Sequence, residues 1–197
     1  MSEVCRTMYM ERQNGFTLVE LLITIVVVSV LLATAIPSFM QFIKNNRVTG
    51  QANSFVVSIQ MARNEAVKQG AGTTLCAANA DMDGCSGTQD DWSTGWIIFS
   101  DLNRDGAINT LTGTATSGST CLETEDCLLR TANPPQKSTL TTASDSDILF
   151  LPTGQTDNPG SVTFFLEADD CDQNQKRSIL ITRQGHTTVT KLPCTTP

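Results

Sequence analysis

The feature that most constrains this chain is an apolar run of 21 residues near its beginning that contains one charged side chain. Residues 16–36 carry Glu20 and no other ionisable group. At about 1.5 Å per residue, a helix of this length spans the roughly 30 Å hydrocarbon core of a bilayer. A carboxylate inside such a segment costs about 2.5–3.5 kcal/mol on insertion scales, and it usually has a partner or a function. The run therefore predicts a membrane helix in which Glu20 is a functional residue.

Three interpretations of the apolar segment compete. It could be a removable secretory signal, because Ala33-Thr34-Ala35 provides a cleavage site of the A-x-A kind. It could also be an ordinary membrane anchor, or an anchor that is cut near Gly15. A signal peptide gains nothing from Glu20, and a plain anchor gains only if a cation lies nearby in an assembled state. Glu20 therefore favours the processed anchor.

The residues around the predicted cut resemble those of a known family. The stretch Gly15–Glu20 reads Gly-Phe-Thr-Leu-Val-Glu, and a long apolar run and Pro37 follow it. This pattern resembles the class III signal of type IV pilins and type II secretion pseudopilins. The resemblance implies that a prepilin peptidase cuts between Gly15 and Phe16 and then methylates the Phe16 amine. It also implies that Glu20, fifth in the processed chain, pairs with the Phe16 amine of a neighbouring subunit in a filament.

The helix is expected to continue beyond the membrane, because Pro37 removes one backbone donor and should kink the helix rather than end it. Residues 37–70 then carry one apolar stripe at spacings of 4, 3, 4, 3 and 4, which is typical of an amphipathic helix. Gly70 and Gly72 are stop signals. A helix from Phe16 to about Gln69 would be about 80 Å long. We expect the stripe to pack on the chain's own sheet, while the first half contacts other subunits. The stripe consists of Val48, Ala52, Phe55, Ile59, Ala62 and Ala66.

Residues 71–197 predict a β-rich head domain, so the expected class is α+β: a long helix on an antiparallel sheet. Alternating, β-branched and aromatic-rich segments mark the strands. Arg183–His186 predicts a hairpin turn, because Gly185 tolerates positive φ. The expected organisation is a leader at 1–15, a membrane helix at 16–36, an amphipathic helix at 37–70 and the head. The candidate strands are 73–77, 95–100, 127–131, 147–151, 161–168, 178–182 and 187–192.

The cysteine count indicates an oxidising compartment. Removal of the leader takes Cys5 away and leaves six cysteines beyond the membrane segment, which allow fifteen pairings. Short loops favour Cys76–Cys85 and Cys121–Cys127, which leaves Cys171–Cys194. The alternative is a metal site, and the absence of any C-x-x-C pair disfavours it.

The stretch Asp101–Gly106 is the best candidate for a metal site. It matches the opening of an EF-hand-like calcium loop, with oxygen ligands at Asp101, Asn103 and Asp105 and glycine at the sixth position. Asn109 fits the ninth position, but Thr112 replaces the bidentate glutamate of the twelfth. A strand rather than a helix precedes the loop. A tight turn capped by Asp and Asn side chains is the simpler interpretation, and calcium binding is the alternative.

An enzyme is not expected, because the chain has no G-x-S-x-G, P-loop or H-E-x-x-H motif and its one histidine, His186, falls in a turn. The head carries seven cations and sixteen anions, a net charge of −9, within a total of −7. Such a field repels nucleic acid at long range. Arg183 and Lys191, which cluster in sequence with Lys176 and Arg177, could form a small local basic patch. DNA is therefore an unfavoured partner.

The head also resembles one branch of the pilin family. The stretch Trp96–Asp101, followed by Asn103 and Gly106, and the closing strands around Ile179–Val189 are similar to the GspH/FimT branch. The resemblance implies a non-enzymatic, FimU-like minor pilin without a cofactor, anchored in the inner membrane with its head in the periplasm and later exposed on a pilus. Its partners would be other minor and major pilins, the prepilin peptidase and the assembly platform. A type II secretion pseudopilin and a DNA-binding pilin are the alternatives.

Overall fold

The computed structural model describes residues 15–88, 90–108, 126–143 and 147–194. The chain divides into two compact units, one ending at Phe42 and the other beginning at Ile43. The first unit contains the apolar part of helix α1, which runs over Leu18–Gln69. The helix begins two residues later than the predicted Phe16 and ends at the predicted Gln69, and Pro37 lies inside it. Beyond it, Gly70 has φ 67°, as expected for a glycine that ends a helix.

The described residues of the second unit contain eight antiparallel strands, which confirms the predicted antiparallel β domain; these strands form two four-stranded sheets, a division that the sequence did not predict. Sheet I has the order β3-β2-β1-β5, and sheet II has the order β4-β6-β7-β8. The strands are β1 (Thr73–Ala77), β2 (Trp96–Ser100), β3 (Cys127–Ala132), β4 (Ser138–Thr142), β5 (Ile148–Phe150), β6 (Val162–Ala168), β7 (Lys176–Ile181) and β8 (Thr187–Leu192). Seven of them overlap the candidate strands, and β4 was not predicted.

The two central strands of sheet I are buried on both faces, which agrees with the absence of charged residues from both strands. Every residue of β1 and β2 is buried. Leu75 and Ile98 face the main core, whereas Cys76, Ile97 and Phe99 belong to a second cluster on the other face. In sheet II, β6 and β7 alternate between buried and half-buried residues, because only one face meets the core.

The predicted stripe of α1 is the part of the helix that builds the main core. All six residues of the stripe are at most 1 % exposed, and Ser58 is buried with them. Phe55 lies at the centre, with its ring edge-on to Trp92, Trp96 and Phe164 at centroid distances of 5.7, 4.9 and 4.9 Å. Since Trp96 is in β2 and Phe164 in β6, Phe55 joins the helix to both sheets.

Polar contacts hold the part of α1 around Lys44 and Arg47, at the start of the second unit, against the loops that flank the strands of sheet II. Lys44 Nζ lies 2.8 Å from an Asp170 carboxylate oxygen and also donates to the Asp170 carbonyl. Arg47 donates to the Lys137 carbonyl. The hydrogen bond from Lys44 lowers the pKa of Asp170 below its ordinary value. Because the Asp170 side chain is 61 % exposed, this ion pair orients the loop more than it stabilises the fold.

Two disulfides have both of their cysteines among the described residues, and they lie at separate places in the head. Cys76 and Cys85 are bonded across the second cluster, and Cys171 and Cys194 tie the tail to the turn after β6, each pair with its Cα atoms 5.7 Å apart. Cys76–Cys85 is a pair that the short loops favoured, and Cys171–Cys194 is the pair that they left over. Cys127 is disulfide-bonded as well, but its predicted partner Cys121 lies outside the described residues.

Candidate functional site

The first candidate site is the beginning of α1, where Thr17 caps the helix. The Glu20 N–H donates to Thr17 Oγ1 at 3.2 Å, and the Leu21 N–H donates to the Thr17 carbonyl at 3.1 Å. Thr17 is thus the N-cap and Glu20 the third helical residue, the spacing of a capping box. A carboxylate in the first turn also interacts favourably with the positive end of the helix dipole. Glu20 is therefore held at a fixed position one turn from the predicted new N-terminus at Phe16.

The hydroxyl groups of the apolar segment are satisfied within the helix itself. Thr24, Ser29 and Thr34 donate to the carbonyls of Leu21, Ile25 and Leu31 at 2.8, 2.6 and 3.0 Å. A side chain that bonds to its own helix leaves no unpaired hydroxyl for lipid to cover. Helix α1 is long and apolar enough to cross a membrane. Glu20 is then the one charged group that this segment has to accommodate.

The second candidate site is the turn after β2, which the Asp101 carboxylate organises. Asp101 is fully buried. Its Oδ1 accepts from the Arg104 N–H at 2.6 Å, and its Oδ2 accepts from the Gly106 N–H at 3.0 Å and from the Thr74 hydroxyl at 2.8 Å. The turn places Gly106 at φ 75°, in the left-handed region that favours glycine. The tight-turn interpretation thus accounts for Asp101 through contacts with protein groups.

The calcium interpretation of the same turn stays a prediction. The Asp101, Asp105 and Asp126 carboxylates come within 4.8 Å of one another, so Asp126 joins the predicted acidic ligands. The Asn103 amide donates to an Asp105 carboxylate oxygen at 2.9 Å. The loop positions Asn109 and Thr112 lie outside the described residues. A rise in melting temperature with calcium that magnesium does not reproduce would establish the site.

Replacing Asp101 by alanine is expected to lower the free energy of unfolding by about 2–4 kcal/mol, because it leaves buried donors unpaired. Thr74, which loses its acceptor, is itself fully buried. Urea denaturation of the detergent-solubilised protein measures the effect. Asp172→Ala in an exposed loop is the matched control, with an expected change below about 0.5 kcal/mol. Equal effects of the two substitutions would contradict the role of Asp101 in the turn.

A second carboxylate, Asp147, lies against the same turn. A Cβ atom on Gly106 would come within 2.6 Å of Asp147 Oδ2. Burial raises the pKa of Asp147 above its ordinary value, and the nearby Asp101 charge raises it further, against a lowering backbone hydrogen bond. A raised pKa means that the folded protein holds this proton more tightly than the unfolded chain does. The ionised Asp147 therefore opposes folding at neutral pH.

Asp147→Asn is accordingly expected to raise the melting temperature at pH 7. The gain should shrink as the pH falls through the raised pKa, and it should vanish below the ordinary value of 3.8, where Asp147 is protonated in both states. Thermal unfolding of both proteins across a pH series tests this. Asp157→Asn, on an exposed carboxylate nearby, is the control. A gain that is independent of pH would contradict the assignment.

The four cations of the predicted basic patch lie in different environments. Arg177 is 7 % exposed and donates to the carbonyls of Asn174 and Lys176 and to the Thr49 hydroxyl, so it belongs to the core. Lys176 is paired with Glu167 at 2.8 Å. Arg183 and Lys191 are exposed, but they lie in the β7–β8 turn and near the end of β8. Arg177 and Lys176 are thus engaged by other protein groups, and a DNA contact through Arg183 and Lys191 stays a prediction.

Comparison with known proteins identifies the chain. The family model described as "Type II transport protein GspH" matches residues 51–185, which is more than half of the chain. The protein belongs to the GspH family. A second model, the prokaryotic N-terminal methylation motif, matches residues 10–36 and so covers the predicted cut and the apolar segment. The chain is therefore a membrane-anchored member of the pilin and pseudopilin group, which consists of structural subunits that assemble with other pilins.

Two individual proteins similar to this GspH-family chain are informative. The type IV major fimbrial protein FimA of Dichelobacter nodosus is 26 % identical over 156 residues, 74 % of this chain and 96 % of FimA. The crystal structure of the type IV minor pilin FimU of Pseudomonas aeruginosa matches with a TM-score of 0.52 at 19 % identity. That match covers 78 % of this chain and 97 % of the FimU chain. At this identity it shows a shared fold, and it confirms the predicted pilin-like architecture.

Two further residues of this GspH-family protein, Thr17 and Gln175, fix local structure and were not among the predicted site residues. Thr17 was not recognised as a cap, although Thr-x-x-Glu before an apolar run is the sequence signal for one. Gln175 is fully buried, and its Oε1 accepts from the backbone N–H groups of Asp172 and Gln173. Nothing in the sequence marks Gln175, because its role depends on the turn between β6 and β7.

Proposed function

We propose that this protein is a minor pilin that primes the assembly of a type IV pilus and sits at its tip, where it supports twitching motility, adhesion or DNA uptake. A prepilin peptidase removes residues 1–15 by cutting between Gly15 and Phe16, and the Phe16 amine is methylated. The processed chain waits in the inner membrane with its head in the periplasm. It then joins other minor pilins on the assembly platform and enters the filament.

The observation that carries this proposal is the position of Glu20 in the first turn of a capped, membrane-length helix. Its carboxylate is costly in lipid and needs a cation. Cleavage after Gly15 creates a new amine at Phe16, and a neighbouring subunit displaced along the filament axis brings its own amine to this depth. In a medium of low dielectric constant the attraction between the two charges is strong. The pairing therefore favours the assembled state and sets the stagger between subunits.

A second candidate function is that of a minor pseudopilin of type II secretion, which the description of the matching family model favours. The two systems share the processing, the helix and the pairing of Glu20. They differ in what the filament does, and so in what fails when the subunit is missing.

Deletion of the gene separates the two candidates. The proposal predicts few or no surface pili and no twitching, with secretion of folded exoproteins unchanged. Complementation with the intact gene should restore pili, and complementation with a chain altered only at Glu20 should not. Loss of exoprotein secretion with normal pili would instead establish the pseudopilin function. A deletion strain that is normal in both respects would contradict both functions.

A further inference from the structure

The last strand of the head, β8, forms one end of sheet II, and its outer edge has no partner among the described residues. The strand at the other end of the sheet, β4, is covered. The Leu140 carbonyl of β4 accepts a hydrogen bond from the Trp92 N–H at 2.7 Å. The Thr142 N–H of β4 donates to the Asp90 carbonyl at 2.9 Å. An open strand edge is a template for pairing with another chain, and natural proteins usually block it.

The register of the last hairpin shows which backbone groups of β8 point outward. The Thr182 N–H donates to the His186 carbonyl at 2.9 Å, one position before the pair Ile181–Thr187. That pair is therefore a non-hydrogen-bonded pair, and the two kinds of pair alternate from there along β7 and β8. The pairing of these strands has no register shift, so the alternation holds over the whole of β8. The residues of β8 that bond to β7 are Thr188, Thr190 and Leu192.

The other three residues of β8 direct their backbone groups away from β7, and they are Thr187, Val189 and Lys191. Each offers one N–H donor and one C=O acceptor. Val189 and Lys191 are exposed, and four of the six residues of β8 are exposed in all. An extended chain laid beside β8 would meet these groups at every second residue, which is the geometry of strand addition.

The same three residues carry side chains on the face of the sheet that is turned towards α1. Val189 is paired with Ile179, which is fully buried in the main core. Thr187 Oγ1 accepts a hydrogen bond from Gln60 of α1 at 3.3 Å. Val189 itself is 41 % exposed at the end of the sheet. A residue of an added strand that lies opposite Val189 has its side chain on this face, so an apolar residue there would cover Val189.

Exposed cations stand at both ends of β8 in a head whose net charge is −9. Arg183 lies in the turn before the strand and Lys191 lies near the end of the strand, and neither has an ion pair among the described residues. A lysine on an edge strand repels other basic strands and attracts a carboxylate. The edge is therefore complementary to a strand that has carboxylates on both sides of an apolar residue.

A second copy of β8 does not meet these requirements. Antiparallel pairing of two β8 strands about Val189 would set Lys191 of each copy opposite Thr187 of the other, beside the turn that carries Arg183. Like charges that face each other across a pair of strands are destabilising. The charge of Lys191 therefore disfavours self-pairing and favours an acidic strand from a different protein.

We propose that the outer edge of β8 receives an extended, acidic strand of another pilin subunit, antiparallel to β8, with an apolar residue opposite Val189 and carboxylates near Lys191 and Arg183. The antiparallel direction follows the more stable of the two pairings. The choice of a pilin as the partner rests on the proposed function, whereas the preference for an acidic strand does not. The interaction would add a contact between heads to the one that Glu20 makes between helices.

The open edge is tested first by amide hydrogen exchange in ¹⁵N spectra of the full chain in detergent micelles. The amides of Thr188 and Thr190, which bond to β7, should exchange at least tenfold more slowly than those of Val189 and Lys191. Equal protection of the two sets would overturn the assignment of the outward groups.

Binding is tested on the same sample with the end-blocked peptide Thr-Glu-Thr-Val-Thr-Glu-Thr. With its valine opposite Val189, its glutamates lie opposite Thr187 and Lys191. The peptide should shift the amide signals of Val189 and Lys191 saturably and slow their exchange. Methylation of the nitrogen of the central valine, which faces β8, should weaken binding about tenfold, the worth of one lost hydrogen bond. Methylation of a neighbouring threonine nitrogen, which faces away, should not weaken it.

Two substitutions test the edge from the side of the protein. Val189→Pro removes an outward N–H and leaves the bonds between β7 and β8, because proline is accommodated on the open side of an edge strand. It should abolish binding of the peptide, whereas Val189→Thr, which keeps the N–H, should retain binding. Lys191→Glu should weaken binding about tenfold, and Lys68→Glu, the same change of charge at the end of α1, should weaken it less than twofold.

Three results of the titration would overturn the inference. One is equal affinity for a peptide in which lysines replace the two glutamates. Another is an equal effect of the two nitrogen methylations, because the backbone of the peptide would then not pair with β8. The third is tighter binding of a short DNA duplex than of the peptide at the same salt concentration, because the edge would then be a phosphate site.

The partner is tested in cells with a photo-crosslinking residue at Thr190, and Asn64 of α1 is the exposed control position. Mass spectrometry should find the Thr190 crosslink on a pilin-family subunit, at a peptide that contains Asp or Glu, and Val189→Pro should reduce its yield. Crosslinks to no pilin, or an equal yield from Asn64, would overturn the proposed partner. If the protein proved not to act in pili or secretion, the peptide result would still stand or fall independently.

Discussion

Replacing Glu20 by alanine is expected to keep the protein in the membrane and exclude it from filaments. The substitution removes a carboxylate that costs about 2.5–3.5 kcal/mol inside lipid, so anchoring should become more favourable. It also removes the proposed partner of the neighbouring Phe16 amine. A charge-assisted hydrogen bond contributes about 1.5–3 kcal/mol, which corresponds to a loss of about tenfold to hundredfold in incorporation. Anchoring and assembly should therefore respond in opposite directions.

Quantitative immunoblots of sheared filaments and of membranes measure both quantities in one strain. Glu20→Gln, which keeps the shape and loses the charge, should fail like alanine. Thr24→Val is the matched control, because the Thr24 hydroxyl bonds only to the Leu21 carbonyl of its own helix among the described residues. Thr24→Val should enter filaments as the unaltered protein does. Normal incorporation of Glu20→Ala would contradict the role given to this carboxylate.

Replacing Phe55 by alanine is expected to destabilise the head by about 3–5 kcal/mol, the largest stability effect that we predict for one substitution. Phe55 is 1 % exposed, and three aromatic rings surround it at centroid distances of 4.9–5.7 Å. Truncation removes a helix side chain whose ring contacts both Trp96 of sheet I and Phe164 of sheet II. The cavity would lie where helix and sheets meet, so the sheets cannot collapse onto it without moving the helix.

Tryptophan fluorescence during urea denaturation of the detergent-solubilised chain reports this loss, because both tryptophans contact Phe55. Val57→Ala is the control on the same helix. Val57 is 56 % exposed, and its loss should change the free energy of unfolding by less than about 0.5 kcal/mol. A change below about 1 kcal/mol for Phe55→Ala would mean that the helix is not held by this contact.

The helix was predictable because its signals are local. The apolar stripe from Val48 to Ala66 has the period of a helix, and every predicted position is buried. The start at Leu18 was missed by two residues, since the hydroxyl of Thr17 caps the helix there. A helix cap depends on a single polar side chain, so the pattern of apolar residues does not reveal where the cap lies.

The division into two sheets was not predictable, because it depends on contacts between distant parts of the chain. Strand β4 shows the difficulty: it reads Ser-Thr-Leu-Thr-Thr and has one apolar residue. Its inward residues, Ser138, Leu140 and Thr142, are buried because β4 pairs with β6. The sequence pattern alone is typical of a polar loop.

The candidate sites also differ in whether their residues are contiguous in sequence or are brought together by the fold. The pattern Gly15–Glu20 is contiguous, so sequence sufficed to find it. Sequence adjacency did not show that Arg177 and Lys176 of the basic cluster point to opposite sides of the sheet, because neighbouring residues of a strand alternate between its faces. Arg177 is buried on one side, and Lys176 meets Glu167.

The mass of the mature protein tests the central claim most directly. Protein purified from filaments or from the inner membrane should lack residues 1–15 and begin with a singly methylated Phe16. Fragmentation of the N-terminal peptide would place the methyl group on the Phe16 amine, while Glu20 stays unmodified. A mature chain that begins after Ala35 would mark a removed signal peptide, and one that retains residues 1–15 would mark a plain anchor. Either result would contradict the account of this chain as a processed pilin.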